Sequence, residues 1–117
     1  FIEIKPLFSK KLLKKLIKET NKFKKCVFIS FKEKNIYNLI KIKKNINVGL
    51  SFTPSMSIKT IIKKSKNGKV NFLILDKYFI NNKKIQEIKK NKYFYTIKSK
   101  KEFLKYGKKN NLIFENL

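Results

Sequence analysis

The sequence predicts an α/β fold in which helices cover a parallel sheet. Short runs of β-type apolar residues alternate with helical patterns at intervals of roughly 20 residues, which is typical of repeated βα units. The apolar fraction of 42% is large enough for a packed core, and no low-complexity linker divides the chain. We therefore expect residues 1–117 to form a single domain.

The first strand is predicted at Phe1–Lys5, where apolar and charged residues alternate. Ser9 is a suitable N-cap for a helix over Lys10–Lys24, whose apolar residues form one stripe. The run Cys26–Ser30 is typical of a buried strand, and residues 33–44 have the periodicity of a second amphipathic helix.

The third strand is predicted at Val48–Phe52 and ends before Pro54. Ser57 begins a short helix, which the turn at Gly68 ends. Val70–Leu75 is the clearest strand, because its continuous apolar run suits a strand covered on both faces.

A fourth helix is predicted to start at Asn81 or Asn82 and to hold Ile85 and Ile88 on its apolar face. The fifth strand is predicted at Tyr93–Ile97, where aromatic and β-branched residues are concentrated.

The final unit begins at Ser99, the N-cap of a helix with Phe103 and Leu104 on its inner face and Gly107 at its end. The last strand is predicted at Leu112–Phe114. Six strands separated by five helices are compatible with two architectures, a doubly wound sheet or a (β/α) barrel. No Gly-rich turn follows a strand, which disfavours dinucleotide and P-loop sites.

The composition excludes several classes of protein. Without histidine the chain has no Ser-His-Asp triad and no His-ligated metal, and one cysteine excludes a disulfide framework. No apolar run approaches the roughly 18 residues of a transmembrane helix. Because disulfides are lacking, we expect a cytoplasmic location.

The formal charge of +24 comes from 31 basic residues, all of them lysine, against seven acidic residues. The lysines are spread along the chain, and arginine, the usual reader of bases and phosphates, is absent. We therefore attribute most of the charge to AT-rich coding and solvated helix faces, and we expect no specific nucleic-acid partner. Contact with an anionic membrane surface through lysines is a further expectation.

The first predicted strand differs from the others. Glu3 and Lys5 share one of its faces, while Ile2 and Ile4 share the other. Opposite charges on an interior strand are costly unless they are paired or used, and Pro6 places the pair at the strand's carboxyl end. Active sites of parallel α/β folds are built at that end. An exposed edge strand carrying a surface ion pair is the structural alternative.

The segment Ile2–Pro6, with the sequence Ile-Glu-Ile-Lys-Pro, resembles the E-I-K strand of the glycerophosphodiester phosphodiesterase family. Further segments resemble motifs of that family in the same order along the chain, namely Ile29–Phe31, Val48–Leu50, 95–98, 106–107 and 112–116.

This resemblance implies a partial (β/α)8 TIM barrel, in which the six strands are the last six and the N-terminal portion of the barrel is missing. It also implies a metal-assisted hydrolase that splits a small-molecule glycerophosphodiester into glycerol phosphate and an alcohol. Glu3 would be a ligand of Ca²⁺ or Mg²⁺, and Lys5 would be the catalytic residue that contacts the phosphate. Ser30 and Tyr95 are candidate substrate-binding residues, with a strand-end turn and core packing as their structural alternatives.

The resemblance has gaps. The family's His-Arg, Glu-x-Asp and His-Asp motifs are absent, Lys98 stands where the family has Asn, and Asn116 stands where it has Asp. We therefore expect this chain alone to be inactive, as the C-terminal portion of such an enzyme or a decayed relative. Asp76 and Glu115 follow apolar runs on the same side and are further candidates for cation binding or local loop bonds. A lysine-rich RNA or ribonucleoprotein-binding protein and a catalytically dead barrel remnant are the alternatives.

Overall fold

Six parallel strands form the sheet of this protein, and they lie side by side in chain order. The computed structural model describes residues 1–115. The strands are β1 (Ile2–Glu3), β2 (Phe28–Ser30), β3 (Val48–Ser51), β4 (Phe72–Asp76), β5 (Asn91–Ile97) and β6 (Asn111–Phe114). The sequence prediction of six parallel strands joined by helices is therefore confirmed.

Helices connect consecutive strands. They are α1 (Lys10–Thr20), α2 (Glu33–Ile42), α3 (Ile58–Ser65), α4 (Lys83–Gln86) and α5 (Lys100–Tyr106). The predicted N-caps form, since the side chains of Ser9, Ser57, Asn82 and Ser99 each accept a hydrogen bond from a backbone N–H three residues on. Among residues 1–115, no helix is long and apolar enough to cross a bilayer.

Two predicted helix features are wrong. A 3₁₀ turn at Lys77–Phe79 precedes α4, and α4 ends at Gln86, so Ile88 lies beyond it. In α5, Phe103 and Leu104 are exposed by 43% and 74% instead of facing inward. Because β6 pairs only with β5 in the described sheet, α5 has little structure beside it to cover those side chains.

The core lies between the sheet and its helices. It contains Ile4 just after β1, the strand residues Phe28, Val48, Leu50, Leu73, Leu75 and Phe94, and the helix residues Leu13, Ile36, Leu39, Ile61 and Ile85. Full burial of one such side chain contributes roughly 1.5–3 kcal/mol. Because strand side chains alternate, the residues between these core positions point to the opposite, concave face of the sheet.

The sheet is curled into a half-barrel. The ring of Phe1, next to β1, lies with its centroid 4.9 Å from that of Tyr93 in β5 and 6.2 Å from that of Phe72 in β4. Gly49 permits close packing on this face, because a Cβ there would lie 3.0 Å from the Phe72 Cβ and 3.2 Å from the Ile29 Cγ2. The predicted partial (β/α) barrel is thus confirmed as the fold class.

A buried polar network fixes the chain where it leaves β1. The Ser30 hydroxyl donates to the Ile4 carbonyl over 2.6 Å. The Asn35 side chain donates to the Pro6 carbonyl over 2.8 Å and to the Ser30 Oγ over 3.3 Å, and it accepts from the Phe8 N–H over 2.9 Å. Both side chains are fully buried. This network therefore sets the course of the segment that carries Glu3 and Lys5.

Asn35→Ala should lower the free energy of unfolding by about 1–2 kcal/mol, because the half-buried Phe8 N–H and the Pro6 carbonyl both lose their partner. Urea denaturation of the purified chain measures this loss. Asn38→Ala is the matched control in the same helix, because the Asn38 side chain makes no hydrogen bond among the described residues. Equal losses in the two variants would contradict the role of Asn35.

Candidate functional site

The first predicted site residue, Glu3, is the last residue of β1 and lies on the concave face. Its neighbours Ile2 and Ile4 pack with the core, so the Glu3 side chain points the other way, as Phe1 does. The side chain is 35% exposed. A carboxylate therefore stands at the carboxyl edge of the half-barrel, on the side away from the helices.

Lys5 lies close to Glu3. Its Nζ is 3.8 Å from the Glu3 Oε2, and its side chain is 83% exposed. An ion pair this long and this exposed contributes little to stability, so the ammonium is held loosely. Lys5 can consequently turn toward an anion without a large loss of folding free energy.

Tyr95 of β5 crosses the top of the half-barrel. Its hydroxyl donates to the Phe52 carbonyl over 2.5 Å, and its ring meets the Phe31 ring edge to face with centroids 6.1 Å apart. Burial raises the pKa of Tyr95 to about 12, with smaller contributions from the negative charges of Asp76 and then Glu3. Two carboxylates therefore act on one phenol at this edge.

Asp76 ends β4 on the same face. Leu73 and Leu75 of that strand belong to the core, so Asp76 points to the concave side, and its backbone pairs with that of Tyr95. Its Oδ1 accepts the Tyr78 N–H over 2.8 Å, which caps the following 3₁₀ turn. In the sequence, Asp76 is recognisable as a candidate because it is an acidic residue that directly follows the apolar run of a strand.

Ser51 ends β3 and was missed by the sequence prediction. Val48 and Leu50 pack into the core, so Ser51 faces the concave side, where it is 5% exposed. The alternation Val-Gly-Leu-Ser contained this information, because the small residues share one face. Together these residues form what we call the concave-edge cluster, which consists of Glu3, Lys5, Phe31, Ser51, Asp76 and Tyr95.

Ser30 lies apart from this cluster. It is fully buried on the helix side of β2, where its hydroxyl donates to the Ile4 carbonyl and accepts from the Lys32 N–H and the Asn35 amide. These hydrogen bonds use its donor and both of its acceptor sites. We therefore leave Ser30 out of the candidate site.

The remaining predicted positions add little to the cluster. Lys98 and Glu115 are exposed, and the Glu115 N–H donates to the Ile97 carbonyl over 3.0 Å. Asn116 lies outside the described residues.

The described residues do not by themselves make a metal centre. Among residues 1–115, no group of three or more Asp, Glu, Cys or His side chains is placed to hold an ion. Ca²⁺ and Mg²⁺ take at least about six oxygen ligands, of which several are normally supplied by carboxylates or water. Glu3 and Asp76 are too few for firm binding of either cation by this chain alone.

Comparisons with known proteins give no family assignment. No protein-family model matches the chain, and no curated protein matches its sequence significantly. Its fold and the geometry of the concave-edge cluster are therefore the observations on which a function has to be argued.

Tyr95 should be the last tyrosine to ionise in an alkaline titration followed by phenolate absorbance, with a midpoint near the pKa of about 12. The folded state holds the Tyr95 proton more tightly than the unfolded chain does, so protonated Tyr95 contributes to stability. This contribution is complete at pH values below the ordinary tyrosine pKa of 10.0, and it is lost as the pH rises through about 12. Tyr95→Phe should remove both effects.

The matched control for this titration is Tyr78→Phe, which also removes one phenol but at an exposed position. The absorbance change near pH 12 should remain in Tyr78→Phe. If it also remains in Tyr95→Phe, the assignment of that change to Tyr95 is contradicted. Burial lowers the pKa of Lys90 and of Lys92, which changes stability in the opposite direction at alkaline pH. The comparison of variants, more than the wild-type pH profile, isolates the effect of Tyr95.

Proposed function

We propose that this chain supplies the Glu3–Lys5 part of a phosphodiester-hydrolysing site in a protein of the glycerophosphodiester phosphodiesterase type. One observation supports this proposal above the others: a carboxylate and an ammonium 3.8 Å apart, at the carboxyl edge of a parallel half-barrel. Catalytic groups of β/α barrels are placed at this edge, where the loops after each strand converge. The substrate would be a glycerophosphodiester and the products glycerol phosphate and an alcohol.

The roles of the two residues follow from their chemistry. The exposed ammonium of Lys5 can contact a phosphate oxygen and stabilise the negative charge that develops on it during hydrolysis. The Glu3 carboxylate is a hard oxygen donor and would be one ligand of the Ca²⁺ or Mg²⁺ that the family uses. That cation would make the phosphorus more electrophilic, and its other ligands would come from outside the described residues.

The rest of the parent protein is needed for activity under this proposal. The chain has no histidine to serve as the general acid or base, and its two carboxylates at the cluster are too few for a metal centre. Within the described sheet, β1 and β6 each pair with one strand only, so both edges can accept a further strand. The chain would thus act as one portion of a barrel completed by other strands.

The distribution of lysines argues against a dedicated nucleic-acid surface as the main function. Each of the five helices carries at least two lysines, and the loops between them carry more. A surface that binds nucleic acid normally gathers its basic residues on one face or along one helix. The lysines of this chain are better explained as solvated faces, with general attraction to polyanions at low salt as a consequence.

In the parent protein, Glu3→Gln and Lys5→Ala should each lower kcat/KM for a glycerophosphodiester by about 100-fold, since each removes a group that stabilises the transition state. Steady-state assays with saturating Ca²⁺ or Mg²⁺ measure the loss. Glu19→Gln and Lys14→Ala are matched controls, because both residues are exposed on α1 away from the cluster. These controls should leave kcat/KM unchanged.

The isolated chain should show no turnover with either cation. Turnover by the isolated chain that Glu3→Gln abolishes would contradict the need for a completing portion. Full activity of the parent protein carrying Glu3→Gln would contradict the proposed site itself.

A further inference from the structure

Three serines are buried in this chain, and they differ in how their hydroxyls are satisfied. Ser30 donates to the Ile4 carbonyl, and Ser65 donates to the Ile62 carbonyl, each over 2.6 Å. Ser51 is buried to the same degree as Ser65, yet among the described residues its Oγ has no hydrogen-bond partner. Burying a hydroxyl without a partner is unfavourable, so this position calls for an explanation.

The surroundings of Ser51 connect it to the concave-edge cluster. Its backbone pairs with that of Ile74 in β4, and Asp76 lies two residues further along the same face of that strand. Phe52, the next residue in the chain, accepts the hydrogen bond of Tyr95 through its carbonyl. The Ser51 hydroxyl therefore lies beside the point where the Tyr95 side chain reaches β3.

The polar groups of this region define the kind of ligand atom that would suit it. Asp76 and Glu3 bring carboxylate oxygens, which only accept hydrogen bonds, whereas the Ser51 hydroxyl has a proton to donate. A phosphate oxygen would accept from Ser51 but would be repelled by the carboxylates. An alcohol hydroxyl accepts from Ser51 and donates to a carboxylate, so it satisfies both sides.

We propose that Ser51 is a specificity-determining residue that binds an alcohol hydroxyl of the ligand, next to the phosphate that Lys5 contacts. This inference rests on the proposed function for the identity of the site and adds the group that recognises the polyol part. The Ser51 oxygen is out of contact with solvent, so a ligand reaches it only when neighbouring side chains of the concave face move. A ligand hydroxyl bound to Ser51 would supply the partner that no described protein group gives to this oxygen, so binding would recover part of the cost of burying it.

The first arm of the test compares stability among the three buried serines, using urea denaturation of the chain. Ser30→Ala and Ser65→Ala remove satisfied hydroxyls and should lower the denaturation midpoint. Ser51→Ala should leave the midpoint unchanged or raise it, because it removes a buried polar atom that has no partner. If Ser51→Ala lowers the denaturation midpoint as much as Ser65→Ala does, the proposal is overturned, because water or another group must then already satisfy the Ser51 hydroxyl.

The second arm measures binding of glycerol 3-phosphate to the chain by NMR titration, with inorganic phosphate and glycerol as the comparison probes. Ser51→Ala should bind glycerol 3-phosphate about tenfold more weakly than the wild type, the effect of one hydrogen bond, and should bind inorganic phosphate equally well. Ser51→Cys, which keeps the shape of the side chain but replaces the hydroxyl with a slightly larger and poorer hydrogen-bond donor, should repeat the loss.

Glycerol 3-phosphate affinity that is unchanged in both Ser51 variants, or absent in the wild type, would overturn the inference. An equal loss of affinity for inorganic phosphate would do so too, because it would assign Ser51 to the phosphate. A parent protein that hydrolyses no glycerophosphodiester, combined with a Ser51-dependent affinity for glycerol 3-phosphate, would refute the proposed function and leave this inference standing.

Discussion

The position of the candidate site depends on a buried polar network on the other side of the sheet. β1 contributes only two residues to the ladder and has one neighbouring strand, so strand pairing alone holds it weakly. Ser30 and Asn35 bind the backbone of residues 4–8 immediately after it. Hydrogen bonds of this kind are valuable in a dry environment because the alternative is an unsatisfied buried group. The Ser30 side chain, on the helix side of β2, and the Asn35 side chain of α2 thereby place Glu3 and Lys5.

The two faces of the sheet use the same residue type in opposite ways. On the helix side, Ser30 has all its hydrogen-bonding capacity filled, and it adds to stability. On the concave side, Ser51 is 5% exposed, and its hydroxyl has no hydrogen-bond partner among the described residues. Proteins keep unfavourable groups where a ligand needs them, and satisfy polar groups elsewhere. The helix side of the half-barrel, which holds Ser30, is therefore organised for stability, and the concave side, which holds Ser51, is the face on which we propose a site.

The sequence was sufficient for the alternation of strands and helices and for the caps, because both depend on local patterns. It was insufficient for the direction of Ser30, since the apolar run before that residue does not reveal which side chains face the helices. The direction of Glu3 was readable because its strand alternates. Phe103 and Leu104 have the periodicity of a core face, but the sheet ends at β6 beside α5, and only the tertiary structure contains that information.

The charge that matters for function is local and differs from that of the whole molecule. With a formal charge of +24, an excess of ammonium groups would favour the phenolate form of a tyrosine. The pKa of Tyr95 is nevertheless raised, by burial first and then by Asp76 and Glu3. Solvent and salt screen distant exposed lysines, and the charges that shift this pKa are those of the two carboxylates. The two carboxylates of the concave-edge cluster therefore make its surroundings locally negative, and Lys5 is the residue of the cluster that carries a positive charge.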